Sequence, residues 1–154
     1  MLDSRRHSTK RGSPTVRENG FQLVRDSVAE ALSMAKEKLL IIATHAADDP
    51  ERATIPFVLA NAAMATEMSV TIVLQAEGVR LGVIDQAKRI NADAFPPLQN
   101  LMNDFSSLGG VLMVCVPCLK ARKIQESQII PGTRFVAAGT IVAEVASANK
   151  TLTY

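Results

Sequence analysis

Leu39-Leu40-Ile41-Ile42-Ala43-Thr44-His45-Ala46-Ala47-Asp48-Asp49-Pro50-Glu51 carries the reading that decides the fold. Its first five residues form a short, uninterrupted apolar run, partly β-branched, as expected of a strand buried on both faces. The polar break that follows ends in a helix start. Asp49 suits the N-cap, Pro50 the first helical position, and Glu51 adds negative charge where the helix dipole favours it. Phe57, Leu59, Ala60, Ala63 and Met64 then give that helix an apolar face ending near Met68.

The unit repeats downstream. Val70-Thr71-Ile72-Val73-Leu74 reads as a second buried strand, followed by the turn Gln75-Ala76-Glu77-Gly78 and a less regular stretch to Phe95-Pro96-Pro97. Leu98, Leu101, Met102, Phe105 and Leu108 line the next helix, which Gly109-Gly110 stops. Val111–Val114 is a third strand and runs into Cys115-Val116-Pro117-Cys118, with a short helix through Leu119 and Ala121. Past the Pro131-Gly132 loop, Phe135-Val136-Ala137 reads as a fourth strand. Gly139-Thr140 opens a last helix with Ile141, Val142, Val145 and Ala146 inward, and Thr151–Tyr154 closes as a short strand. Alternating strands and helices predict an α/β, doubly wound, mostly parallel sheet of about five strands with helices on both faces.

Upstream, Phe21, Val24, Val28, Leu32 and Ala35 recur at helical spacing, predicting a leading amphipathic helix over 21–37 before the domain at 38–154. Residues 1–20 hold Arg5, Arg6, Lys10, Arg11 and Arg17 against Asp3 and Glu18, with hardly any apolar side chains. Such a stretch cannot offset its ordering entropy by burial and reads as a flexible basic tail. The whole chain of 154 residues is close to neutral, at +2, and only 4% aromatic without Trp, which argues against a nucleic-acid partner. No apolar stretch reaches the roughly 18 residues of a membrane span, and no secretory leader follows the basic start. Two cysteines fall far short of a disulfide scaffold, so the reading is a cytoplasmic protein with free thiols.

In sheets of this class the ligand site lies at the carboxyl ends of the strands, and Cys115 sits at that place. Pro117 suits a first helical position, so the N–H groups of the next turn would point back at the sulfur. Lys120 and Arg122 add cationic charge. Both effects favour the nucleophilic thiolate; the competing reading is a buried free Cys acting as a small hydrophobe, inert in a non-catalytic oligomeric binding subunit. Cys118 completes a C-x-P-C spacing that invites dithiol chemistry, although too little chain follows it for a thioredoxin-type sheet. At the other strand ends, His45 and Glu77 are candidates to line the same pocket, His45 as a base or donor. Two Cys with the scattered His7 and His45 make no zinc set, so no metal is expected, and no phosphate-binding glycine loop supports a nucleotide cofactor.

Three stretches together resemble the DsrE/DsrF-like sulfur-relay family, which includes the TusD-type subunits. They are Leu39–Met68 leading to Val70–Leu74 and Glu77-Gly78-Val79; Gly110–Cys115 with Leu119-Lys120-Ala121-Arg122-Lys123-Ile124; and Pro131-Gly132-Thr133 with Ala138-Gly139 and the closing helix and strand. The resemblance implies a compact α/β subunit that assembles as a homo-oligomer, a trimer or hexamer. It also implies a cysteine after the third strand that accepts sulfur as a persulfide and passes it on, a role that falls on Cys115. Donor and acceptor would be proteins or small sulfane-sulfur compounds, with no cofactor. Cys118 departs from the TusD-type pattern and is a candidate resolving thiol; Lys120, Arg122, His45 and Glu77 are candidate substrate contacts.

Overall fold

The computed structural model describes residues 23–25, 27 and 36–154. The tail expected over 1–20 lies outside the described residues, as does most of the leading-helix stretch 21–37.

Five strands form one sheet, every pairing in it parallel: β1 (Lys38–Ala43), β2 (Ser69–Leu74), β3 (Val111–Cys115), β4 (Arg134–Val136) and β5 (Lys150–Thr153), in the order β4-β3-β2-β1-β5. Within residues 36–154 the helices are α1 (Pro50–Ala65), α2 (Leu98–Ser107), α3 (Val116–Ala121) and α4 (Ala138–Ser147). Two 3₁₀ segments, Ala76–Gly82 and Ala87–Arg89, fill the stretch that had no clear period. β1 to β4 step in one direction, and the connection through α4 doubles back to place β5 beside β1. Right-handed crossovers then require α1 and α2 on one face of the sheet and α4 on the other. Side chains agree: Lys38, which points away from its neighbour Leu39, pairs its Nζ with Glu144 of α4 at 2.5 Å.

Burial explains the apolar runs. Leu40, Ile41, Ala43, Ile72, Val73, Leu74 and Val114 are fully buried, as central parallel strands covered on both faces require. Phe57 of α1 meets Phe105 of α2 edge-to-face, with centroids 5.8 Å apart. Asp49 caps α1 by accepting from the Arg52 backbone N–H at 3.0 Å, with Pro50 in the first turn. α2 ends in a Schellman motif: Gly110 N–H donates to Phe105 and Gly109 N–H to Ser106, with Gly109 at φ 86°. Among the described residues no helix is long and apolar enough to cross a membrane.

Several local expectations shift. α1 stops at Ala65 rather than near Met68, and it passes through Pro56 without breaking. The fourth and fifth strands each begin one residue early, at Arg134 and Lys150. Leu108 is 57% exposed because it is the C-cap of α2, where the chain already turns off the core. In α4 only Ile141 is buried; Val142 and Val145 are 66% and 40% exposed and Ala146 is exposed as well. α4 rests on the sheet along one narrow stripe, so a helix apolar on most of its circumference turns the remainder outward.

Candidate active site at the end of β3

β3 ends and α3 begins at adjacent residues, which makes Cys115 both the last strand residue and the N-cap of the helix, at φ −72° and ψ 111°. Val116 takes the first helical position, so Pro117 is second rather than first, and Cys118 lies one turn in. Both thiols are free, Cys115 only 6% exposed and Cys118 half-buried. Burial pushes the Cys115 thiol above its ordinary pKa, and the neighbouring Cys118 thiol adds to the shift. The Cys118 backbone N–H and the Arg122 charge pull the other way and do not prevail. The expected stabilisation of a thiolate is therefore outweighed. The loss of water around the sulfur exceeds what the Cys118 backbone N–H and the Arg122 charge return.

The loop after β2 reaches this site from the neighbouring strand. Glu77 accepts from Arg80 Nε at 2.7 Å on Oε2 and from Arg122 Nε at 2.8 Å on Oε1. Arg122 also donates from Nη1 to the Cys118 carbonyl at 3.2 Å. Arg80 first, and Arg122 second, hold the Glu77 carboxyl below its ordinary pKa. One carboxylate thus ties the segment after β2 to the helix after β3. Gly78 allows this placement: its N–H donates to the Thr44 carbonyl at 2.9 Å, and a Cβ there would collide with the carbonyl oxygen of Ala43.

Cys115, Cys118, Arg122 and Glu77 are therefore brought together. Lys120 is exposed on α3. His45 takes its own contact in the turn after β1, where its Nδ1 lies 2.7 Å from Asp48 Oδ2. Arg80 belongs to the cluster although the sequence reading passed over it. The available signal was its three-residue spacing from Glu77, which faces the two side chains toward each other once the segment coils. A separate cavity of about 330 Å³ lies at the opposite end of the sheet, where Phe57, Phe105 and Leu112 meet the loop Pro131–Thr133; none of the sulfur-site residues lines it.

A profile of the DsrE/DsrF-like family matches residues 37–154. The chain is 29% identical over 117 residues to the uncharacterized protein MJ0989 of Methanocaldococcus jannaschii, covering 76% of this chain and 99% of that protein. It is 28% identical over 113 residues to the uncharacterized protein MJ0760 of the same organism; this is 73% of the chain but spans only 41% of that longer protein. In structure it is similar to the ychN protein from E. coli, with a TM-score of 0.65 at 21% identity over 77% of this chain and 99% of that one. It is also similar to MTH1491, a protein of unknown function from Methanobacterium thermoautotrophicum, with a TM-score of 0.60 at 16% identity over 76% and 98% of the two chains. At these identities the structural likeness establishes a shared fold.

Proposed function

Because the chain belongs to the DsrE/DsrF-like family, a family generally related to sulfur relay, we propose that it is a sulfur carrier working through Cys115. The observation that carries this reading is the position of Cys115. It is a strand-end thiol at the carboxyl edge of a parallel sheet, next to a second thiol and to a guanidinium. In the proposed step the Cys115 thiolate attacks the sulfane sulfur of a donor and becomes a persulfide. An acceptor thiolate then attacks the outer sulfur and regenerates Cys115. Arg122 is the group suited to offset the negative charge of thiolate and persulfide alike. The same reading makes the protein a cytoplasmic homo-oligomer, a trimer or hexamer, with the exposed Val142 and Val145 of α4 offering apolar surface for assembly.

A second reading has one observation in its favour, the placement of a second free thiol, Cys118, one helical turn after Cys115. Cys118 as thiolate would attack the inner sulfur of a Cys115 persulfide, forming a Cys115–Cys118 disulfide and releasing hydrosulfide; a dithiol reductant would restore the pair. Mass spectrometry separates the two readings. Reduced protein is incubated with a sulfane-sulfur donor and the adduct is mapped in wild type, Cys115→Ser and Cys118→Ser. A carrier gains one sulfur on Cys115 and keeps that gain in Cys118→Ser. A disulfide in wild type with no retained sulfur favours the dithiol reading, and no adduct on Cys115 in any variant defeats both.

A further inference from the structure

Resting on the carrier reading, we propose that Arg80 and Arg122, joined through Glu77, form an oxyanion seat beside Cys115. The sulfur donor is then an anion whose leaving group bears oxygens on sulfur, thiosulfate being the simplest. Each guanidinium gives Glu77 only its Nε–H, and Arg122 adds one Nη1 donor to the Cys118 carbonyl. A guanidinium carries five N–H donors in a planar fork, so the terminal edge of Arg80 stays open to donate to paired oxygens of an oxyanion, and Arg122 keeps N–H donors beyond its bonds to Glu77 and Cys118. One carboxylate cannot neutralise two guanidinium ions, which leaves an excess positive charge at this corner of the sheet. The charge is graded in depth: the Arg122 side chain is 20% exposed and stands near the buried sulfur, whereas that of Arg80 is 44% exposed and opens to solvent. A thiolate and a dianionic donor repel one another, and this arrangement opposes that repulsion where the two must meet.

The step balances without an external oxidant or reductant. Cys115 releases its proton to solvent, and its thiolate attacks the outer sulfur of thiosulfate. The Sγ–S bond forms as the bond from that sulfur to the sulfonate breaks, and the electron pair leaves on sulfite. Sulfite departs from the two forks, and Cys115 holds the persulfide.

The test compares the anionic alkylating agent iodoacetate with neutral iodoacetamide at Cys115, in full-length Cys118→Ser protein. The ratio of the two rates cancels the thiolate fraction and reports local charge alone. We expect a ratio above that of free cysteine, and saturable protection against iodoacetate by sulfite. Arg122→Gln and Arg80→Gln should each lower the ratio by about threefold, the size of a partly screened charge interaction. Arg80→Gln leaves the Glu77–Arg122–Cys118 ties in place and keeps the test valid where Arg122→Gln fails to fold. A ratio equal to that of free cysteine and insensitive to Arg80→Gln overturns the proposal, as does absence of sulfite protection. A one-sulfur gain from a neutral organic trisulfide but none from thiosulfate overturns the anionic donor and leaves the carrier reading standing; no gain from either defeats both.

Discussion

Cys115 is held in its neutral form by burial and by the thiol beside it, so its reactivity is set as much by Cys118 as by any cation. Replacing Cys118 with Ala removes a neighbouring thiol whose side chain adds to the upward shift of Cys115. Alkylation of Cys115 by iodoacetamide near pH 8 should become faster, and its pH profile should move toward lower pH. A profile that stays where it is would show that burial alone sets the shift, and one that moves up would reverse the sign of the Cys118 contribution. Glu77 works in the opposite sense. Its folded-state pKa is lowered by Arg80 and Arg122, so the contribution of its charged form is present above the ordinary glutamate pKa and is lost as pH falls through the depressed value. Stability measured in urea should therefore fall less steeply with acid in Glu77→Gln than in wild type, from the ordinary glutamate range downward. At this scale the sequence identified the thiols, because a strand-end position and a C-x-P-C spacing are local facts. The sign of the pKa shift was not legible, since it depends on how much water the fold removes from one sulfur.

Short-range chemistry made the elements readable. Asp49-Pro50 specified the start of α1, and Gly109-Gly110 its counterpart at the end of α2, because caps are satisfied within a few residues of where they lie. Asp49→Ala should cost about 1 kcal/mol in urea unfolding. Gly78→Ala should cost more, about 1–3 kcal/mol, because the added methyl group meets a backbone oxygen at the end of β1 rather than a movable side chain. An equal or smaller loss for Gly78→Ala would mean that the loop after β2 can retreat, and with it the carboxylate that joins Arg80 to Arg122. What spacing did not reveal was which apolar helix residues the sheet would cover. In α2 the periodic residues Leu98, Leu101, Met102 and Phe105 are all inside, since α1 packs alongside. In α4 the same kind of pattern points Val142 and Val145 to solvent, because a helix resting on a sheet by one stripe buries little beyond Ile141.

For the whole molecule, the parallel sheet followed from the strand–helix alternation, but the strand order did not; β5 has no local signal that it returns to β1. The outward valines of α4 bear on assembly. Wild-type protein should scatter light as a multiple of the chain mass, and Val142→Asp should shift it toward monomer at micromolar concentration. A wild-type monomer would remove the oligomer from the proposed function. The return of β5 has another consequence. Leu39 pairs with Lys150, and the Lys38 backbone N–H donates to Asn149 across 111 positions of chain. During synthesis, β1 leaves the ribosome before the other strands of the sheet, and one of its edges must wait for β5. Until then a hydrophobic strand presents unpaired N–H and C=O groups, an open template for the wrong partner. Closure of the sheet thereby waits on the emergence of β5, a contact between segments 111 positions apart and of the non-local kind that slows folding.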